Sequence, residues 1–114
     1  MDAAFIVHKE LGPGLLENAY EICLCRLLEK NGLKTETQKT MPITFQNEKI
    51  DAGYRIDLIV EDLVLVELKS VQKLLPVHEA QILTYLKLSK IKLGLLLNFN
   101  EKLLKHGIRR FVLS

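Results

Sequence analysis

The chain has 114 residues, 48% of them hydrophobic and 26% charged, with a formal net charge of +2. That suits one compact domain with a buried core, residues 1–114, and its small charge permits nucleic-acid binding without arguing for it. No apolar run reaches membrane-spanning length and no signal peptide is visible, which excludes a membrane-spanning chain of helices.

Residues 2–11 (DAAFIVHKEL) place apolar side chains at helical spacing and stop at Gly12-Pro13-Gly14, a strong breaker. Residues 15–31 predict a longer helix, with Leu16, Ala19, Tyr20, Cys23, Leu24, Leu27 and Leu28 on one wide apolar stripe. Asn31-Gly32 supplies its stop, since both residues tolerate a left-handed cap. Cys23 and Cys25 lie two apart on this helix and point in different directions. They read as reduced thiols, which fits a cytoplasmic protein. Residues 34–47 alternate and are rich in Thr, predicting one strand or a bent pair around Pro42, with a turn at Asn47-Glu48-Lys49. Residues 53–60 and 64–70 are the clearest strands. Pro76 opens a helix running to about Ser89. Residues 93–99 (LGLLLNF) suit a strand covered on both faces, and 107–113 a final strand. A late strand–helix–strand crossover implies a parallel pair within a mixed sheet, so the fold class is α/β. From Lys87 onward the cations Lys87, Lys90, Lys92, Lys102, Lys105, Arg109 and Arg110 face one acid, Glu101, a balance compatible with either a phosphate-facing or a merely solvated surface.

Chemistry concentrates in residues 55–69, RIDLIVEDLVLVELK. A three-residue connection, Glu61-Asp62-Leu63, pairs Val60 with Val64, Leu58 with Val66 and Ile56 with Leu68, all apolar and on one face. The other face then carries Arg55 opposite Lys69, Asp57 opposite Glu67, and Ile59 opposite Leu65. A two-residue connection would scramble both faces. Burying six large side chains is worth several kcal/mol and selects the first register. It sets two carboxylates against each other, which folding does not need. A divalent cation would relieve that repulsion. Alternatively, the face is solvated and Asp57 pairs with Lys69, Glu67 with Arg55. Glu17 opens the long helix one turn before Tyr20, where the helix dipole alone explains an acid. Gln81 and Tyr85 lie one turn apart on the later helix, on the face of His78. A plain polar face with Tyr85 half buried also accounts for them.

Asp57 followed by Glu67-Leu68-Lys69 resembles the D…(D/E)-x-K motif of the PD-(D/E)XK nuclease superfamily, although Arg55-Ile56 stand where the motif's proline would be. GPGLLENAY (12–20), YRIDLIVEDLVLVELKSV (54–71), LLPVHEAQILTYLKL (74–88) and LGLLLNFN (93–100) together resemble the small proteins called the GxxExxY family, over nearly the whole chain. The resemblance implies a restriction-endonuclease-like core, α-β-β-β-α-β, with a mixed sheet flanked by helices. It implies catalytic Asp57, Glu67 and Lys69. Mg²⁺, or Mn²⁺, would be held by Asp57, Glu67 and the backbone carbonyl of Leu68, with Glu17 reaching it through water. Gln81 and Tyr85 match the QxxxY motif of RecB-type nucleases, which positions substrate or the lysine. The implied activity is phosphodiester hydrolysis in nucleic acid, with DNA the expected substrate, little sequence specificity, and a homodimer as one route to cutting both strands. The rival reading is an inactive nuclease-fold module that binds nucleic acid or a protein. The family's first helix starts some residues earlier than Met1, so a shortened start is also expected.

Overall fold

A computed structural model describes residues 1–114. Two helices lead, α1 (Asp2–Leu11) and α2 (Glu17–Lys30). Gly12 breaks the first at φ 69°, and its N–H bonds the His8 carbonyl. The second ends as its composition predicts, with Gly32 at φ 80°. The Gly32 N–H reaches Glu29 O at 2.9 Å and the Leu33 N–H reaches Leu28 O at 3.1 Å, a paired cap that satisfies the last carbonyls. Five strands and a third helix follow: β1 (Thr35–Thr40), β2 (Ile43–Phe45), β3 (Glu48–Ile50), β4 (Arg55–Val60), β5 (Val64–Lys69) and α3 (Pro76–Ser89). The chain closes with β6 (Leu93–Asn98), a 3₁₀ turn (Leu104–Gly107) and β7 (Ile108–Val112).

The main sheet has the order β1-β4-β5-β6-β7. β5 and β6 are parallel, joined through α3, and every other pair is antiparallel. The core order α2-β1-β4-β5-α3-β6 is the expected α-β-β-β-α-β, with a small β2–β3 hairpin inserted and β7 appended. Helices cover both faces. α1 and α2 pack Ala4, Val7, Tyr20 and Leu24 against Leu58, Val66, Leu68 and Leu97. α3 packs Ile82, Tyr85 and Leu86 against Ile56, Ile59, Leu65 and Leu96. β6 therefore sends alternate residues into both clusters, which explains its almost wholly apolar sequence. Gly94 on β6 lets α3 come close, since a Cβ there would sit 3.1 Å from Leu86 and 3.2 Å from Ile82. No helix is long and apolar enough to cross a membrane.

Several expectations need correction. α2 starts at Glu17 rather than residue 15, and Leu16 stays 80% exposed outside the stripe. Residues 34–47 form strands on either side of Pro42, one of the two expected arrangements, but in different sheets, and the turn falls at Gln46-Asn47, not at 47–49. Both turn residues have φ near +50 to +64°, the backbone of a tight hairpin turn, which frees Glu48 and Lys49 to pair with Phe45 and Thr44. Cys23 and Cys25 are free, the second buried.

Candidate active site

The β4–β5 hairpin turns through Glu61 and Asp62, both at positive φ, with Leu63 turned out and 70% exposed. Val60 meets Val64, Ile59 meets Leu65 and Leu58 meets Val66, the register expected from apolar patterning. The ladder between these strands then stops. β4 continues beside β1 as far as the Arg55–Thr40 pair, and β5 continues beside β6 as far as Lys69–Asn98. Each strand follows its outer neighbour, so the two diverge into a fork. Unpaired backbone at a fork is costly unless something satisfies it. Here the carboxylates do so. The Asp57 N–H donates to Glu67 Oε1 at 3.2 Å, and Asp57 Oδ2 accepts the Leu68 N–H at 3.0 Å.

The fork also changes which way β4 faces. Ile56 joins Ile59 in the α3 cluster rather than Leu58 and Leu68 as strict alternation required. Asp57 instead lines a cleft on the α2 side, with Glu17, Asn18, Glu21, Gln38 and Leu68. Opposite it on β1, Gln38 sits at φ 51° and drops out of the ladder. The Gln38 amide donates to Glu21 Oε1 at 2.8 Å and to Asp57 Oδ1 at 3.4 Å. Glu17 reaches the same region by accepting the Ser70 N–H at 3.3 Å. Glu21 and Gln38 were not singled out from sequence. Glu21 lies four residues after Glu17 and so shares its helix face, a signal available at the outset. Gln38 carries no such signal, because its role depends on a left-handed backbone fixed by the fork.

Glu67 is 3% exposed and lies outside that cleft. Burial pushes its carboxyl up to about 9, and the nearby Asp57 charge adds to the rise, while Lys69 pulls the other way. Burial likewise raises Glu21, with Asp57 and Glu17 contributing. Neither Asp57–Lys69 nor Glu67–Arg55 forms an ion pair. The two ion pairs present are Lys34–Asp62 and Lys39–Glu36, so the solvated ion-pair face is not what forms.

Gln81 and Tyr85 line a second cleft, between α3 and the β2–β3 hairpin. Tyr85 is 3% exposed rather than half buried, and its hydroxyl accepts the Gln81 amide at 3.2 Å. Burial raises its phenol, and Glu67 raises it further. Glu67 thus sits between the two clefts and acts on groups in both.

No three His, Cys, Asp or Glu side chains converge as a ready ligand set, so Glu17, Asp57 and Glu67 are neighbours rather than a preformed cage. The donor chemistry nevertheless suits a hard divalent cation: carboxylate oxygens beside a backbone strand, with Glu67 and Glu21 raised chiefly by burial and further by the neighbouring carboxylates.

No curated protein and no solved structure matches the chain. A family model does, over residues 1–111, and it is that of the PD-(D/E)XK nuclease superfamily. A five-stranded mixed sheet flanked by helices, forked where Asp57 and Glu67-Leu68-Lys69 lie, agrees with that match, and the chain belongs to the PD-(D/E)XK nuclease superfamily.

Proposed function

We propose that residues 1–114 form a single metal-dependent nuclease domain whose site is the fork between β4 and β5. The observation that carries this reading is the fork itself. It spends two carboxylates, Asp57 and Glu67, on backbone that an unbroken ladder would have satisfied.

Asp57, Glu67 and the Leu68 carbonyl are the groups that would hold Mg²⁺ or Mn²⁺, with Glu17 acting through water. When bound, such a cation polarises a phosphate oxygen and lowers the pKa of a coordinated water. Lys69 stands at the end of β5, two residues beyond Glu67, and its ammonium has no ion-pair partner. It is free to orient the attacking water and to counter charge developing on the phosphate. Gln81 and Tyr85 position the strand being cut. Strands hold these groups rigidly, which matters because small misplacements are costly. Glu17 also belongs to the GxxExxY reading, in which Gly14, Glu17 and Tyr20 form one motif.

The substrate we infer is nucleic acid, DNA in particular, cut with little intrinsic sequence preference. A homodimer would bring two such sites to a duplex, and the free cysteines fit a cytoplasmic setting. The test is cleavage of labelled single- and double-stranded DNA and RNA with Mg²⁺, Mn²⁺ or EDTA. Wild type should cut only with metal and Asp57→Ala should not cut. Equal behaviour of the two proteins removes the enzyme reading.

A further inference from the structure

The second cleft has more to it than two positioning residues. It is about 450 Å³, a size that accommodates a nucleobase. Ile43 and Val77 give it apolar walls, and Tyr54 gives it an aromatic one. Tyr54 meets the Tyr85 ring edge-on, with centroids 6.4 Å apart at 69°, yet it remains 45% exposed. A large aromatic ring left open at a cleft beside nucleic-acid chemistry is a stacking platform.

Two polar groups at this cleft have unused hydrogen-bonding capacity. His78 Nδ1 accepts the Leu75 N–H at 2.9 Å, which leaves Nε2 to carry a proton as a donor. The Gln81 amide nitrogen is committed to Tyr85, which leaves its carbonyl oxygen as an acceptor. A donor and an acceptor on one helix face, with an aromatic ring nearby, match the edge and face of a base. Arg55, next in sequence to Tyr54, is exposed and its guanidinium donates only to Thr40 Oγ1 at 3.3 Å, so its charge is available to a phosphate.

The cleft also adjoins the fork. Tyr85 lines it and packs in the same buried cluster as Ile56, the residue before Asp57, and Tyr54 stands three residues ahead of Asp57 along the chain. A subsite so placed suits a nucleotide close to the phosphate at the fork. A base within a duplex is stacked and paired, and cannot enter a cleft between a helix and a hairpin without being extruded.

We propose that the cleft between α3 and the β2–β3 hairpin is a base-stacking subsite for an unpaired nucleotide, with Tyr54 as its platform and His78 and Gln81 reading the base edge. The occupant is a single strand of nucleic acid, and the proposal rests on the nuclease reading of the fork.

Binding is measured by fluorescence anisotropy in EDTA, so that no probe is cut. The probes are a short oligodeoxythymidylate, the same length of duplex, and a wholly abasic deoxyribose-phosphate strand. Wild type should bind the oligodeoxythymidylate most tightly. Tyr54→Ala should weaken that binding by about 5- to 150-fold, the range for losing one base–aromatic stack. Tyr54→Phe should bind as wild type, and the abasic strand should bind Tyr54→Ala and wild type equally. The proposal is overturned if wild type prefers the duplex, if the abasic strand binds it as well as the thymidylate does, or if Tyr54→Ala matches wild type. It is also overturned if no probe binds the wild type. If Tyr54→Ala does not fold, the abasic strand alone decides. Tyr54-dependent binding without cleavage upholds the subsite and removes the nuclease reading. Cleavage without Tyr54-dependent binding does the reverse.

Discussion

Glu67→Gln should stabilise the metal-free protein above neutral pH. The folded protein holds the Glu67 proton up to about 9, against an ordinary 4.5, chiefly because the carboxyl is buried and secondly because Asp57 is near. The unfolded chain releases that proton near the ordinary value. Folding therefore takes up a proton throughout the window between the two, and stability falls as pH rises through it. Each pH unit in the window costs about 1.4 kcal/mol, so going from pH 5 to pH 8 removes up to about 4 kcal/mol. Glutamine keeps an oxygen to accept the Asp57 N–H and supplies an N–H toward the Asp57 carboxylate, without titrating. At roughly 4 °C per kcal/mol for a chain this size, the wild type should lose on the order of 10–15 °C relative to Glu67→Gln across that range. Thermal melts by circular dichroism in EDTA at a series of pH values measure the difference directly. Mn²⁺ added at the alkaline end should raise the wild-type midpoint and leave the variant's unchanged. Two parallel curves, with the variant tracking the wild type at every pH, refute the reasoning, since no proton uptake would then accompany folding at Glu67.

Tyr20→Phe should cost about 1–3 kcal/mol in urea unfolding, because the buried hydroxyl serves both Gly12 O and the Leu15 N–H while the ring stays stacked on Phe99. Asn98→Ala should cost at least as much in the same assay. Its fully buried amide bonds the Val71 N–H at 3.1 Å, the Val71 carbonyl at 2.9 Å and the Asn100 N–H at 3.2 Å, and all three would lose their partner. Gly107→Ala should destabilise more than Gly94→Ala. A Cβ at 107 falls 2.5 Å from the Asn98 carbonyl oxygen, which is backbone, whereas at 94 it meets only methyl ends of Leu86 and Ile82. Lys69→Ala should lower the cleavage rate about 100-fold or more with little change in melting temperature, the signature of a group that acts on the transition state rather than on the fold.

Much of this architecture could be read along the chain. The helix spacing of 2–11 and 76–89, the breakers at Gly12 and Gly32, and the parallel pair implied by a strand–helix–strand crossover all reappear in space. These signals are local. They depend on a residue and its neighbours within a turn or a strand, and the hydrophobic pattern carries them. The register of the β4–β5 hairpin belongs with them next to its turn, where Leu58, Val60, Val64 and Val66 pair as expected, but the expected pairs Ile56–Leu68, Asp57–Glu67 and Arg55–Lys69 do not form. The D…E-x-K spacing around Asp57, Glu67 and Lys69 was likewise plain in the sequence.

What the sequence could not decide is where that hairpin ends as a hairpin. The fork depends on β1 holding β4 and β6 holding β5, partners far away along the chain. Only that competition turns Asp57 toward α2, sends Ile56 to the α3 side, and leaves Glu67 buried between two clefts. Gln38 and Tyr54 gain their positions from the same long-range packing, so no short pattern announces them. The sequence by itself determined the helices, most of the strands and their order, and it offered Asp57, Glu67 and Lys69 as candidates. The tertiary structure decided which of those groups share a cleft, because side-chain direction at a diverging pair of strands is set by neighbours rather than by period.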